Sequence, residues 1–142
     1  CDDPKATRAA IDAEGWLRTG DIGRIQSGGY IEIVDRAKDL IIVKGLNVYS
    51  REVEEVLLSH PGVAEAAVIG LPDGLGDEVI KAFVVPKEGR MLERSELMNL
   101  CKSQLAPYKW PKEVVLASFL PKSSVGKILK RELKEEVGTA AS

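Results

Sequence analysis

The sequence predicts an α+β fold: a small mixed sheet packed by helices, with a β-hairpin ahead of it. Three observations lead there. Strand-like and helix-like stretches alternate along the 142 residues. Several of the strand-like stretches are joined directly by short turns, which argues against a doubly wound parallel sheet. The helical stretches keep their apolar residues on one face, as a helix lying on a sheet must.

Taken in order, residues 4–13 are polar and helix-compatible, ending at Glu14-Gly15. "WLRTGDIGRI" and "YIEIVD" read as strands joined through "QSGG", whose glycines permit the positive φ of a tight hairpin turn. Tyr30, Ile31, Ile33 and Val34 surround Glu32, so at least one face of that second strand is expected to be buried. "DRAKD", Asp35 to Asp39, is a charged interruption and the preferred boundary. "LIIV" is then a short buried strand and "KGLNVYS" a loop. Ser50 can cap the helix "REVEEVLLSH", with Glu52 in its first turn and Val53, Val56 and Leu57 on one face. Pro61-Gly62 stops it. "VAEAAVIGL" and "EVIKAFVVP" are strands separated by the turn "PDGLGD". A helix from Arg94 to Leu105 buries Leu97, Leu100, Cys101 and Leu105, and "APYKWPK" breaks it. "EVVLASFL" is the last strand, and "PKSSVG" is a loop. Leu129, Leu133 and Val137 mark a final helix, after which "GTAAS" is expected to fray. Trp16, Tyr49, Tyr108 and Trp110 read as core or rim packing.

The bulk numbers bound the function. The chain has room for one ordinary domain, or for a small one carrying an extra piece. It is 44% hydrophobic and 30% charged, with 20 basic against 22 acidic residues and a formal charge of −2. That balance argues against nucleic acid or an anionic membrane surface as the main partner. Cys1 and Cys101 form neither a metal-ligand spacing nor a disulfide framework, which suits a reducing compartment. No apolar run is long enough for a bilayer and no signal-peptide layout opens the chain, so the cytoplasm is the expected location. Because the chain opens on Cys1 rather than Met, it is expected to be a fragment.

Four stretches can carry chemistry. In "PKSSVGKILKREL", Lys127 follows Gly126 in a small polar loop. A lysine held out this way can meet a phosphate or carboxylate as a point charge. The same residue also reads as a solvated surface charge beside Lys122, Lys130 and Lys134. A P-loop is excluded, since Pro121 stands where its first glycine belongs and Ile128 replaces its Ser or Thr. In "TGD", Asp21 can accept hydrogen bonds from the vicinal hydroxyls of a ribose, or it is a turn aspartate. In "DRAKD", Arg36 can fork onto a hydroxyl or phosphate and Lys38 can sit at a hinge. A solvated charge run is the plain alternative. In "VKGLNV", Gly45 follows Lys44 where a narrow ligand chain can pass close to backbone, although a simple left-handed turn needs the same glycine. His60, the only histidine, ends a helix and is assigned no metal or catalytic role.

The order of these pieces is more specific than any one of them. "GWLRTGD", "GGYIEIVDRAKDLIIVKGLNVY", "VAEAAVIGLPDGLGDE", "LAPYKWPK" and "LPKSSVGKILKREL" together resemble the end of the acyl-CoA synthetases, in the adenylate-forming superfamily. The resemblance covers essentially the whole chain. It implies that residues 1–35 are the last strands of a large N-terminal domain and that residues 36–142 are a C-terminal lid closing over it. The missing N-terminal domain is then the principal partner, and the ligands are a carboxylic acid, ATP with Mg2+, and coenzyme A. By the same resemblance Asp21 binds the ribose hydroxyls and Arg36 contacts the nucleotide nearby. Lys38 is the hinge residue, and Lys44 and Gly45 line the pantetheine channel. Lys127 enters the active site for adenylation, bridging the acid's carboxylate and the nucleotide, and withdraws before coenzyme A attacks. Magnesium ligands would lie in the missing domain, and the isolated fragment is expected to be inactive.

Two departures stand out: Ser50 replaces a proline common in relatives, and Leu75 replaces an aromatic that some relatives place near coenzyme A. "KGLNVYSREVEE" looks most like the fatty acyl ligases. An amino-acid adenylation domain of a peptide synthetase, or a non-catalytic binding or regulatory module, are the alternatives.

Overall fold

The computed structural model describes residues 4–140, with side chains to residue 139. The chain divides into two compact units, the first ending at Lys38 and the second beginning at Asp39. Among the described residues, no helix is long and apolar enough to cross a membrane.

The first unit holds α1 (Pro4–Ala10), β1 (Asp21–Ile25) and β2 (Ile31–Arg36). The helix stops three residues short of the sequence expectation. Asp12 accepts the N–H groups of Glu14 and Trp16 with its own side chain, and such local bonding competes with helix continuation. Ile11 bridges Leu17 instead, so the start of the expected first strand goes into this turn and β1 begins only at Asp21. β1 and β2 form the expected antiparallel hairpin, with Gly28 and Gly29 at positive φ in its turn. The expected burial of its second strand is not observed. Tyr30 and Ile31 are 78% and 70% exposed, Ile33 is exposed, and only Val34 is half-buried. Trp16 is likewise 72% exposed rather than packed. The reason is physical: α1 buries no residue, and a two-stranded ribbon has no second layer of its own.

The second unit opens with the hairpin β3 (Leu40–Val43) and β4 (Leu46–Tyr49). The expected loop over residues 44–50 is therefore only two residues long, Lys44 and Gly45. Both have positive φ, 51° and 76°, so the turn is of the type I′ kind whose twist matches the strands it joins. α2 (Ser50–Leu58) follows directly. Ser50 does not cap it: Tyr49 holds the N-cap position without a side-chain cap bond, and Ser50 is the first helical residue, fully buried.

β5 (Val63–Pro72), β6 (Glu78–Pro86) and β7 (Glu113–Leu116) form a three-stranded sheet in that order. β5–β6 is antiparallel and β6–β7 parallel, so the sheet is mixed, as expected. β7 ends four residues earlier than "EVVLASFL" implies. Alternation along the strands sorts the core onto two faces. Ala66, Val68, Ala82, Val84 and Val114 meet Val53 and Leu57 of α2 and Leu97 and Cys101 of α3 (Arg94–Gln104). Ala67, Ile69 and Phe83 meet Leu120 and Leu133, the latter on α4 (Lys130–Ala140). Each fully buried aliphatic side chain here contributes ~1.5–3 kcal/mol, so burial on both faces, rather than helix propensity, holds these short helices.

Tyr108 and Trp110 pack partly against the first face, and Leu100 is half-buried. Burial alone would pull the Lys109 ammonium pKa down. The Glu52 carboxylate, 2.8 Å away, outweighs it and holds the ammonium above its ordinary range. Gly138–Ala140 continue α4 instead of fraying, and the rest of the tail lies outside the described residues, as does Cys1.

Candidate functional site

Asp21 and Arg36 are brought together. They are the first residue of β1 and the last of β2, and antiparallel register places them opposite each other. Arg36 Nε lies 3.5 Å from Asp21 Oδ1, a long and partly exposed ion pair of the sort worth under ~1 kcal/mol. So loose a pair leaves both groups able to turn to hydroxyls or phosphate. Thr19 helps fix the strand entry, its Oγ1 accepting the Asp21 N–H at 3.3 Å. Lys38 is exposed in a single 3₁₀ turn, Ala37–Asp39, at the point where the two units divide.

Lys44 and Gly45 occupy the type I′ turn of the β3–β4 hairpin. Lys44 is the one non-glycine residue at positive φ among the described residues. For an L-residue that conformation costs ~1–2 kcal/mol. A carboxylate offsets it: Asp77 accepts the Lys44 N–H at 2.7 and 2.6 Å with its two oxygens. The neighbouring Glu78 accepts the Ile42 N–H at 2.7 Å. Asp77 is itself placed by Asp73, whose Oδ1 accepts the N–H groups of Leu75 and Asp77. Those backbone donors hold the Asp73 carboxyl below its ordinary pKa of 3.8. Leu75, in the middle of this turn, is almost fully exposed.

The stretch around Lys127, read as a loop, is a small hairpin. Lys122 bridges Ile128, and Ser123 N–H donates to Lys127 C=O at 2.8 Å. Gly126 N–H donates to Ser123 C=O at 2.9 Å, and Gly126 has φ 82°. This is a turn closed by a left-handed residue, the position glycine tolerates best. Ser123 Oγ also accepts the Lys127 N–H at 3.2 Å. Lys127 is exposed, and its ammonium has no partner among the described residues. Lys44–Gly45 and Lys127 thus stand on separate hairpins of the second unit.

Sequence reasoning missed the acidic residues beneath both hairpins. It also treated Lys122 and Lys130 as surface neighbours of Lys127. Lys122 pairs with Glu65, and Lys130 is only 18% exposed in its side chain, paired with Glu54. His60 Nε2 lies 3.0 Å from Glu96 Oε1 and its Nδ1 accepts the Gly62 N–H, so both ring nitrogens hold the end of α2 to its surroundings. Among the described residues, no three His, Cys, Asp or Glu side chains converge to hold a metal ion.

Comparison with known proteins places the chain in a family. The chain is 50% identical over 133 residues to a long-chain-fatty-acid–CoA ligase of Escherichia coli O6:H1, which covers 94% of this chain and 23% of that protein. It is 48% identical over 133 residues to a long-chain-fatty-acid–CoA ligase of Mycobacterium tuberculosis, covering 94% of this chain and 26% of that one. Among solved structures it superposes on o-succinylbenzoate CoA synthetase from Bacillus subtilis, in complex with its acyl-adenylate intermediate. There the TM-score is 0.86 at 40% identity, over 94% of this chain and 27% of the other. The chain therefore spans about a quarter of the length of the curated relatives it matches. A family profile described as the AMP-binding enzyme C-terminal domain matches residues 52–127. Because that match runs from α2 to Lys127 itself and takes in more than half of the residues, the chain belongs to the AMP-binding enzyme C-terminal domain family.

Proposed function

We propose that this chain is the C-terminal part of an ATP-dependent carboxylic acid–CoA ligase, acting on a fatty acid and working in the cytoplasm. Residues 36–142 are the lid, and residues 1–35 are the last strands of the large domain. In the first step an oxygen of the acid's carboxylate attacks the α-phosphorus of ATP and the bond to pyrophosphate breaks. In the second, the sulfur of coenzyme A attacks the acyl carbon and AMP leaves on its phosphate oxygen.

Lys127 is the catalytic residue of the first step. Its ammonium stabilises the charge shared by carboxylate and phosphate as pyrophosphate departs, an effect that grows when the closed lid excludes water. Asp21 accepts hydrogen bonds from the ribose hydroxyls and Arg36 contacts the nucleotide beside it, which their opposed positions on β1 and β2 support. Lys38 is the hinge, supported by the division of the chain after it. Lys44 and Gly45 wall the pantetheine channel in the second step, where a two-residue turn keeps bulk away from a narrow ligand. Magnesium, bound to the ATP phosphates, would take its protein ligands outside this chain.

The observation that carries the reading is the exposed Lys127 ammonium on a hairpin tip ordered by Ser123 and Gly126. The test is Lys127→Ala in the whole enzyme. Adenylate formation, followed by pyrophosphate exchange, should fall ~100- to 1000-fold. Thioester formation from supplied acyl adenylate should persist. Equal loss of both steps would refute the role.

A further inference from the structure

The hairpin that bears Lys127 is too short to orient itself. Its two arms share one bridge, Lys122 with Ile128, flanked by two backbone hydrogen bonds, and only Ile128 of those arms packs on the core, so a ribbon of that size is not stable alone. Something outside it must set where Lys127 points. Both feet of the hairpin stand on lysine–carboxylate pairs. At the incoming foot, Lys122 pairs with Glu65 of β5. At the outgoing foot, three residues after Lys127, Lys130 Nζ lies 2.8 Å from Glu54 Oε1 and donates to Ser50 Oγ at 2.7 Å.

The outgoing foot is the more restrictive. The Lys130 and Glu54 side chains are only 18% and 15% exposed, and Ser50 is fully buried. Glu54 has its own fixed position, since its Oε1 also accepts the Val68 N–H of β5 at 2.9 Å. The ammonium therefore meets acceptors from two residues of α2, one of which is tied to the sheet. Holding α4 down does not require this arrangement, because Leu133 already packs against the Ile69 and Phe83 face. Half-buried ion pairs bring little net stability over apolar side chains of the same size. What they bring is direction: a methionine here could slide, whereas an ammonium between two placed oxygens cannot.

We infer that Lys130, held by Glu54 and Ser50, is a positioning residue that aims Lys127 into the adenylation site. The inference rests on the reading of Lys127 given above. Loosening the outgoing foot lets the tip wander, and a misplacement of about 1 Å at a reacting group costs up to ~100-fold in rate.

The experiment measures both half-reactions of the whole enzyme in Lys130→Met, in Lys130→Arg and in the double variant Lys130→Met/Glu54→Gln. The double variant leaves no unpaired buried charge and keeps an acceptor for Val68 N–H, so it remains folded if the single variant does not. In the methionine variants kcat for adenylation should fall between ~10- and ~100-fold with KM for ATP little changed. Thioester formation from supplied acyl adenylate should stay within about twofold, since coupling is through Lys127 alone. Lys130→Arg, which can still reach Glu54, should recover most of the loss. Lys127→Ala is run beside them. If it keeps normal adenylation, the reading of Lys127 falls and this inference with it. If Lys127→Ala fails while folded Lys130 variants adenylate normally, or lose both half-reactions in proportion, the positioning role alone is overturned.

Discussion

Removing the Asp77 carboxylate should unfasten the Lys44–Gly45 turn, and the size of the effect can be worked from its bonds. Asp77 accepts the Lys44 N–H with both oxygens, at 2.7 and 2.6 Å, and more weakly the Glu78 N–H at 3.1 Å, so Asp77→Ala removes mainly the charge-assisted interaction with Lys44. Such interactions contribute ~1.5–3 kcal/mol when partners are dry. This turn is exposed, and water can take over the Lys44 N–H, so ~1–2 kcal/mol is the expected loss. In a unit of roughly 100 residues each kcal/mol lowers Tm by ~4–8 °C. Asp77→Asn keeps one acceptor oxygen and should lose less than half as much. Urea unfolding of the chain, read by circular dichroism, gives the stabilities at constant m. Hydrogen exchange at Lys44 N–H reports the bond itself and should speed up in the alanine variant before global unfolding. If alanine and asparagine variants lose the same amount within ~0.3 kcal/mol, or neither loses more than ~0.5, the carboxylate does not hold the turn.

Two further outcomes follow from charge and burial. Cys101 is fully buried, and burial pushes its thiol up to about 11, so with Cys1 replaced by serine the folded chain should resist iodoacetamide at pH 8 and react at once in denaturant. Fast labelling of the native chain would contradict that burial. Backbone donors from Leu75 and Asp77 hold the Asp73 carboxyl below 3.8, so it contributes stability present above pH 3.8 and lost as pH falls through the folded value. Asp73→Asn should flatten that acid limb of a pH–stability curve, and an unchanged curve would exclude the contribution.

Most of the second unit was legible because its signals are local. The apolar runs along residues 63–72 and 78–86, separated by a clear turn, and the helical spacing of Val53, Val56 and Leu57 are signals that burial then reads out. Where legibility failed, the deciding interaction was distant in sequence or was a turn of unusual economy. The strand Leu46–Tyr49 was hidden because Lys44 is a poor turn residue by propensity, and it is accommodated only by Asp77, thirty-three residues on. Ser50 looked like a cap because no local rule reveals an ammonium eighty residues away. The exposure of Tyr30 and Ile31 has a different cause: period-two patterning says that a face is apolar, not that the same unit supplies its cover. The candidate site was legible in its lysines and glycines and illegible in its carboxylates. A glycine before a lysine is a local pattern, but Glu54, Glu65, Asp77 and Glu78 look like ordinary surface acids until the fold brings them beneath a turn.

Those four acids point to a common solution on both hairpins. A hairpin this short cannot bury a core of its own. Apolar anchoring from below would hold it but would not fix its direction. Carboxylates on α2, β5 and β6 and in the turn before β6 supply direction, and they do so differently at the two hairpins. Beneath Lys44 they bind backbone N–H groups, so the turn is set whatever its side chain does. Beside Lys127 they bind lysine ammoniums at the hairpin's feet, while Ile128 packs on the Ile69 and Phe83 face. On the proposed reading, the first arrangement suits a wall that stays put while a ligand slides past. On the same reading the second suits an arm that reaches a bond in one step and leaves it in the next, with the inferred role of Lys130 being to set where the reach ends.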